Sequence, residues 1–237
     1  SDPSDAAGVR AVLKNKLVLK AKLVDLKGVI ADAVTNEMAV AVIGAHTPVR
    51  NLVSAARGAP SSARDGGGSG SFAEAVVLFN AHTQRMVDAA NNVQTVSSDK
   101  SRVGKMSQAS AHLVKSAEEM VRSAKITKQN PTSEAAQSHL TIARAGFEND
   151  TAGVHTTALD IMDVRRVVTM DYNAVLSFAN TAISAAQRGF PAAARGATRK
   201  MMKRVTHVIF VATKEKENSA DDVFIDILDA VIGKLTT

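Results

Sequence analysis

The chain has no cysteine and no tryptophan, and only one tyrosine and five prolines among its 237 residues. Without cysteine there is no disulfide framework, no thiolate nucleophile and no cysteine-based zinc site. Aromatics amount to 3% of the chain. That shortage argues against a sandwich or barrel, whose strands draw on aromatic and β-branched residues and need many turns. No unbroken apolar run approaches the ~20 residues that span a bilayer. The N-terminus lacks the charged-then-apolar pattern of a signal peptide. Low net charge, +6, with 45% apolar residues argues against disorder.

What the chain does have is small apolar side chains, with 40 Ala and 28 Val. A helical protein with thin, alanine-lined seams fits this composition. Helical periodicity is visible almost throughout. Leu19, Leu23, Leu26, Ile30 and Ala33 step by four and three, predicting a first helix from about residue 5 to 44, roughly 60 Å long at 1.5 Å per residue. It should bend or stop at His46-Thr47-Pro48, a candidate hinge, because proline removes a donor and clashes with the preceding turn. Residues 57–70 read as a flexible Gly/Ser loop. They lack the Lys-Ser/Thr and the preceding strand of a phosphate loop.

Ser71 and Glu74 form a capping box opening a second helix with Phe79, Met86 and Val93 on its seam. Asp99 caps a third, with Met106, Leu113 and Met120. Asn130-Pro131 reads as the cap and first position of a fourth, which carries Leu140, Phe147 and Val154 and breaks at Asp150-Thr151. A fifth helix runs to about Arg188, with Asp171 diluting its seam. A sixth follows Pro191, and a short seventh, which reads as cut, is capped near Ser219–Asp222. Short connections imply antiparallel neighbours. The expected architecture is all-α, two consecutive antiparallel four-helix bundles, the first over residues 1–130 and the second over 131–237.

Enzymatic motifs are missing. None of the six His sits in His-Glu-x-x-His or Glu-x-x-His, and there is no Gly-x-Ser-x-Gly elbow and no dinucleotide fingerprint. Glu118-Glu119 points in two directions about 100° apart, as adjacent helix positions do, and reads as a solvated face. No catalytic residue, metal or cofactor is expected, and each His reads as a surface or half-buried bundle residue. Two basic clusters remain. Arg195, Arg199, Lys200, Lys203 and Arg204 form a candidate docking face for acidic protein or anionic lipid. Lys14, Lys16, Lys20, Lys22 and Lys27 form a secondary one. The alternative for both is an ordinary solvated face, partly ion-paired. Nucleic acid is disfavoured, because the few aromatics lie on seams and not among the basic residues.

Several stretches carry a resemblance. Phe79-Asn-Ala-His82 to Val87-Asp-Ala-Ala90-Asn91, Ala124-Lys-Ile-Thr-Lys-Gln-Asn-Pro131 with Glu134-Ala-Ala136, and Gly196-Ala-Thr-Arg199 through Arg204-Val-Thr-His207 to Glu217-Asn-Ser219-Ala-Asp221 occur in collinear order. Together with Leu23-Val-Asp-Leu-Lys27, they resemble the vinculin/α-catenin superfamily over about residues 10–237. The Glu-Asn-Ser-x-Asp end leans towards the vinculin side. The resemblance implies the third vinculin-head repeat, equivalent to the central adhesion-modulating region of α-catenin, a pair of four-helix bundles. It implies a non-enzymatic scaffold or linker at cytoplasmic cell–cell or cell–matrix junctions. Its partners would be other domains of the same protein and cytoskeletal adhesion proteins, with F-actin reached only through a C-terminal tail outside this chain. The rival reading of the residues themselves is a basic helical module for anionic lipid or another polyanion.

Overall fold

The computed structural model describes residues 3–58, 71–97 and 99–236, with side chains over 13–58, 71–97, 99–230 and 232–233. Most of the Gly/Ser loop lies outside the described residues. Every regular element among them is a helix: α1 (Pro3–Gly44), α2 (His46–Ala56), α3 (Phe72–Val96), α4 (Lys100–Gln129), α5 (Glu134–Ile161), α6 (Val164–Gln187), α7 (Pro191–Asn218) and α8 (Asp222–Thr236).

Local chemistry sets the helix ends. Ser71 accepts from the Glu74 N–H at 3.2 Å, and Asp99 from the Ser101 N–H at 2.9 Å, each satisfying a donor that the first turn leaves orphaned. The expected cap at Asn130 is displaced. Asn130 instead closes α4, and Ser133 caps α5 by accepting from the Ala136 N–H. Nor does α5 break at Asp150-Thr151. The helix penalty of Asp and Thr is a few tenths of a kcal/mol each, small beside the burial of Phe147 and Val154 on either side. The α1–α2 break falls at Ala45, four residues after Ala41 and three before Pro48. Lacking an N–H, Pro48 cannot bond back to Gly44. Gly44 is seated on His82, so that an added methyl would come within 2.9 Å of His82 Cε1.

The main core is shared by the C-terminal half of α1 with α2, α3, α4 and α5. Its largest fully buried side chains include Phe79, Phe147, Leu52, Leu113 and Leu140. Met38, Met86, Met106 and Met120 are all 0% exposed. Unbranched and adaptable, they fill the irregular gaps between helices lined by Ala41, Ala89, Ala90, Ala124 and Ala158. A boundary at 130/131 therefore cuts between two helices, α4 and α5, that share one core. The short 130–133 turn folds α5 back along α4, as short connections do. We place the division instead near Met162.

Beyond it, α6 and α7 form an antiparallel hairpin, with α8 laid against α7. The hairpin lies against α1 and meets α5 through a small apolar cluster, Leu159, Val167 and Val211, flanked by Met162, Val164, Val168 and Phe210. The N-terminal half of α1 departs from its expected seam: Leu19, Leu23, Leu26 and Ile30 are all exposed. Apolar residues are spread around this half rather than gathered in one stripe, which is the pattern of a helix covered on several sides. One stretch, Leu13–Ala56, contains an 18-residue window of mean hydropathy 1.4. By length and composition it could cross a membrane, although charged and polar residues interrupt every apolar run in it. From Val34 onward its side chains enter the protein core.

Candidate functional site: a buried polar joint and two basic faces

Where the α6–α7 hairpin meets α1 and α5, five polar side chains from four helices converge. Arg204 on α7 donates through Nη1 to Asp171 Oδ1 on α6 at 2.7 Å, and through Nη2 to Asn36 Oδ1 on α1 at 3.1 Å. The second Asp171 oxygen pairs with His207 Nδ1. The far nitrogen of His207, Nε2, faces His155 Nε2 on α5 at 2.9 Å. The His155 ring stacks on His207 and on Phe210, with centroids 4.8 and 4.5 Å away. Asp171 is 1% exposed, His155 3%, His207 5% and Arg204 8%. An isolated charge here would be prohibitive. Asp171 is tolerable because each of its oxygens has a donor, and Arg204 because the Asp171 carboxylate answers its charge.

Only one proton fits between two Nε2 atoms 2.9 Å apart, so the pair needs one neutral ring nitrogen there. Burial chiefly, then the neighbouring His207, pushes the His155 pKa down from 6.5 to about 3, and Asp171 opposes the shift. A base whose folded pKa is depressed stabilises the fold fully above its unfolded value. That contribution is lost as pH falls from about 6.5 towards 3. Between those limits His155 alone should cost up to about 1.4 kcal/mol per pH unit. We expect urea midpoints to fall more steeply below pH 6.5 for the native chain than for His155→Gln. Parallel profiles would show that His155 is not the group responsible. His82 is shifted in the same direction, chiefly by burial and then by Arg85.

One helical turn before His155, Thr151 carries a buried hydroxyl with no hydrogen-bond partner. An unsatisfied buried hydroxyl costs about 1–3 kcal/mol. Thr151→Val keeps the shape and removes the unmet group, so it should raise stability by about 1 kcal/mol. Denaturant titration reads this directly, and a loss of stability would mean that the hydroxyl is satisfied in solution.

The Asp171–His207 pair has the form of an orienting carboxylate and a base, but His207 spends its other nitrogen on His155. That leaves no free lone pair to take a substrate proton. Among the described residues no group of three or more His, Asp or Glu is placed to hold a metal. A groove of about 510 Å³ runs beside the joint, between Val42 and Ile43 of α1, Ala152 and His155 of α5, and Lys203 and Phe210 of α7.

The structure divides the predicted basic face. Arg195, Arg199 and Lys200 are exposed and Lys203 is half-buried. Arg204 is inside the joint and does not belong to a docking face. The i, i+4 spacing put 195, 199 and 203 on one stripe, and position 204 falls on the face turned to α6 and α1. Lys14, Lys16, Lys20, Lys22 and Lys27 are all exposed on α1. The hinge residues His46 and Thr47 are exposed and Pro48 half-buried, in the first turn of α2. Sequence reading missed the joint. Its one visible trace was Asp171, a lone acid on an apolar stripe. His155 and His207, taken there for surface or half-buried residues, are fully buried.

Fold and joint together define an all-α bundle domain in which a buried ionic network within one helical hairpin reaches Asn36 and His155 of the neighbouring helices. The vinculin family model matches residues 6–237, and the chain belongs to that family, a family of cytoskeletal adhesion proteins. It is 23% identical over 208 residues to the catenin alpha of Drosophila melanogaster, covering 87% of this chain and 22% of that protein. Among solved structures it is similar to a vinculin homologue from a sponge, with a TM-score of 0.79 and 21% identity over 90% of this chain and 26% of that one. It is also similar to the HMP-1 M domain, with a TM-score of 0.72 and 17% identity over 88% of this chain and 56% of that one. The chain thus spans about a quarter of the length of the catenin and of the sponge protein.

Proposed function

We propose that this chain is a non-enzymatic scaffold and linker region of a vinculin-like adhesion protein. It would act at cytoplasmic cell–cell or cell–matrix junctions. The observation that carries the reading is the joint itself. Two helical units, each held by small side chains, are connected by a few apolar contacts, the Arg166–Asp32 ion pair and the Arg204–Asn36 and His207–His155 contacts of the joint. Such a connection fixes the relative orientation of flanking binding domains. It also opens at modest cost, because Asp171 and Arg204 stay paired on the hairpin while water repays their desolvation. The mechanism is steric and mechanical: orientation of neighbours when the joint is closed, exposure of new surface when it opens. Coupling to actin then runs through contacts with other domains and other proteins, not through chemistry in this chain.

Affinity capture from cell lysate tests the reading. Actin-linked adhesion proteins, or other parts of its own parent protein, should be retained by the native chain. Retention of neither, with the fold intact by circular dichroism, would sink it.

A further inference from the structure

The basicity of this chain is concentrated in one place. Between Asp171 and Glu215 there is no Asp or Glu, against seven Lys or Arg. The other 194 residues carry 22 Lys or Arg against 23 Asp or Glu. The acid-free segment is the α6–α7 hairpin beyond the joint. Arg204 is used inside the joint, and Lys214 pairs with Glu217. Arg188, Arg195, Arg199, Lys200 and Lys203 lie on the distal part, Lys200 over the Phe178 ring, with no carboxylate on either helix there.

The same part exposes apolar side chains. Phe190 at the tip is 60% exposed, Ile183 55% and Met202 52%. Phe190 is held, not loose. Its N–H donates to the Ala185 carbonyl at 2.8 Å and that of Gly189 to Ala186 at 3.0 Å, with Gly189 at φ 75°. This is a Schellman closure, which needs glycine for the left-handed turn. Pro191 then starts α7. Beside the tip lies a groove of about 610 Å³, lined by Ser177, Asn180, Thr181, Ser184, Arg188 and Phe190.

We propose that the tip of the α6–α7 hairpin docks on an anionic phospholipid bilayer. Phe190 enters the headgroup layer, Arg188 takes a lipid phosphate at the mouth of the hydroxyl-lined groove, and Arg195 follows on the flank. Charge complementarity selects an anionic surface. The convex shape selects a bilayer over an acidic protein, because an aromatic ring at a projecting apex is buried by a soft interface without needing a matching pocket. Basic residues around an apolar anchor are the general composition of interfacial binding. This inference does not depend on the scaffold reading above.

Co-sedimentation of the full chain with vesicles of phosphatidylcholine, with and without phosphatidylserine, tests it. Binding should require phosphatidylserine and weaken as salt rises. Each basic residue near an anionic surface is worth about fivefold in partitioning. Arg188→Gln with Arg195→Gln should therefore reduce binding about 25-fold. Phe190→Ala should weaken binding even at low salt, where the charges are intact. Both changes are at exposed positions, and circular dichroism would confirm retained helicity. Charge reversal at Lys14 and Lys22 should leave vesicle binding unchanged. Three outcomes overturn the proposal: no sedimentation with phosphatidylserine vesicles, loss of binding on reversal of the α1 lysines but not on change of the tip, or capture of inorganic phosphate or polyglutamate without vesicle binding.

Discussion

Replacing Asp171 with alanine is expected to destabilise the folded chain by about 3–5 kcal/mol, the range for removing one partner of a buried ion pair. The reason lies in what stays behind. Arg204, with a side chain 10% exposed, would keep its charge and retain only the Asn36 amide oxygen as a partner. The His207 N–H would lose its acceptor in the same step. Exchanging both Asp171 and Arg204 for leucine should cost much less, because no unpaired charge remains and well-packed apolar replacements of buried pairs are often neutral. Urea unfolding at neutral pH measures both variants, and the midpoints are comparable if the slopes agree. A loss below ~1 kcal/mol for Asp171→Ala would mean that water already enters the joint.

The position of the joint adds a second expectation. Asp171 joins α6 to α7 and holds Arg204 and His207 where they meet Asn36 of α1 and His155 of α5, but it contributes nothing to the core around Leu113 and Met120. In Asp171→Ala, amide hydrogens of α6 and α7 should exchange faster while those of α3 and α4 stay protected. Uniform loss of protection would show one cooperative unit, and the orienting role proposed for the joint would lose its basis.

The contrast between these regions also explains what could be read from the sequence. The main core was legible: Phe79, Met86, Val93, Met106, Leu113, Met120, Leu140 and Phe147 fall on predicted seams, and all are at most 1% exposed. Their side chains are apolar, and period alone identifies the face they occupy. The Ser71 and Asp99 caps were legible because capping depends on residues within one turn. The joint was not. Arg204 and Asp171 are 33 positions apart, and nothing local marks them as partners. An arginine on a helix is ordinarily solvated, so a buried one is recognised only through the carboxylate that a distant helix brings to it. The exposed N-terminal half of α1 fails for the complementary reason. Leu19, Leu23, Leu26 and Ile30 show a preference for burial, but periodicity does not say what covers them. A division at the 130–133 turn does not follow from its shortness, because a short connection marks antiparallel neighbours as readily as a boundary.

Phe147→Ala should cost about 3–5 kcal/mol, the usual range for a fully buried phenylalanine. The sequence's poverty in aromatics makes this one site matter. Of seven phenylalanines, Phe79 and Phe147 are the two that are fully buried, with ring centroids 4.8 Å apart and planes tilted by 54°. Together they join α3 to α5 across the main core. Alanine has no rotamers with which to move into an emptied site, so the helices of an alanine-lined seam could fill the void only by shifting as whole bodies. Removing Phe147 should therefore leave most of its cavity open, which places the loss in the upper part of the range. Phe147→Leu retains much of the volume and should cost under about 1.5 kcal/mol. Phe79→Ala with Phe147→Ala should cost less than the sum of the single changes, by about the 0.5–1.5 kcal/mol of a tilted aromatic pair. Strict additivity would mean that the two rings pack independently. A Phe147→Ala loss below ~1 kcal/mol would show that the alanine seams close freely around a missing ring. The bundle would then be a deformable one, held by average apolar contact and not by this pair.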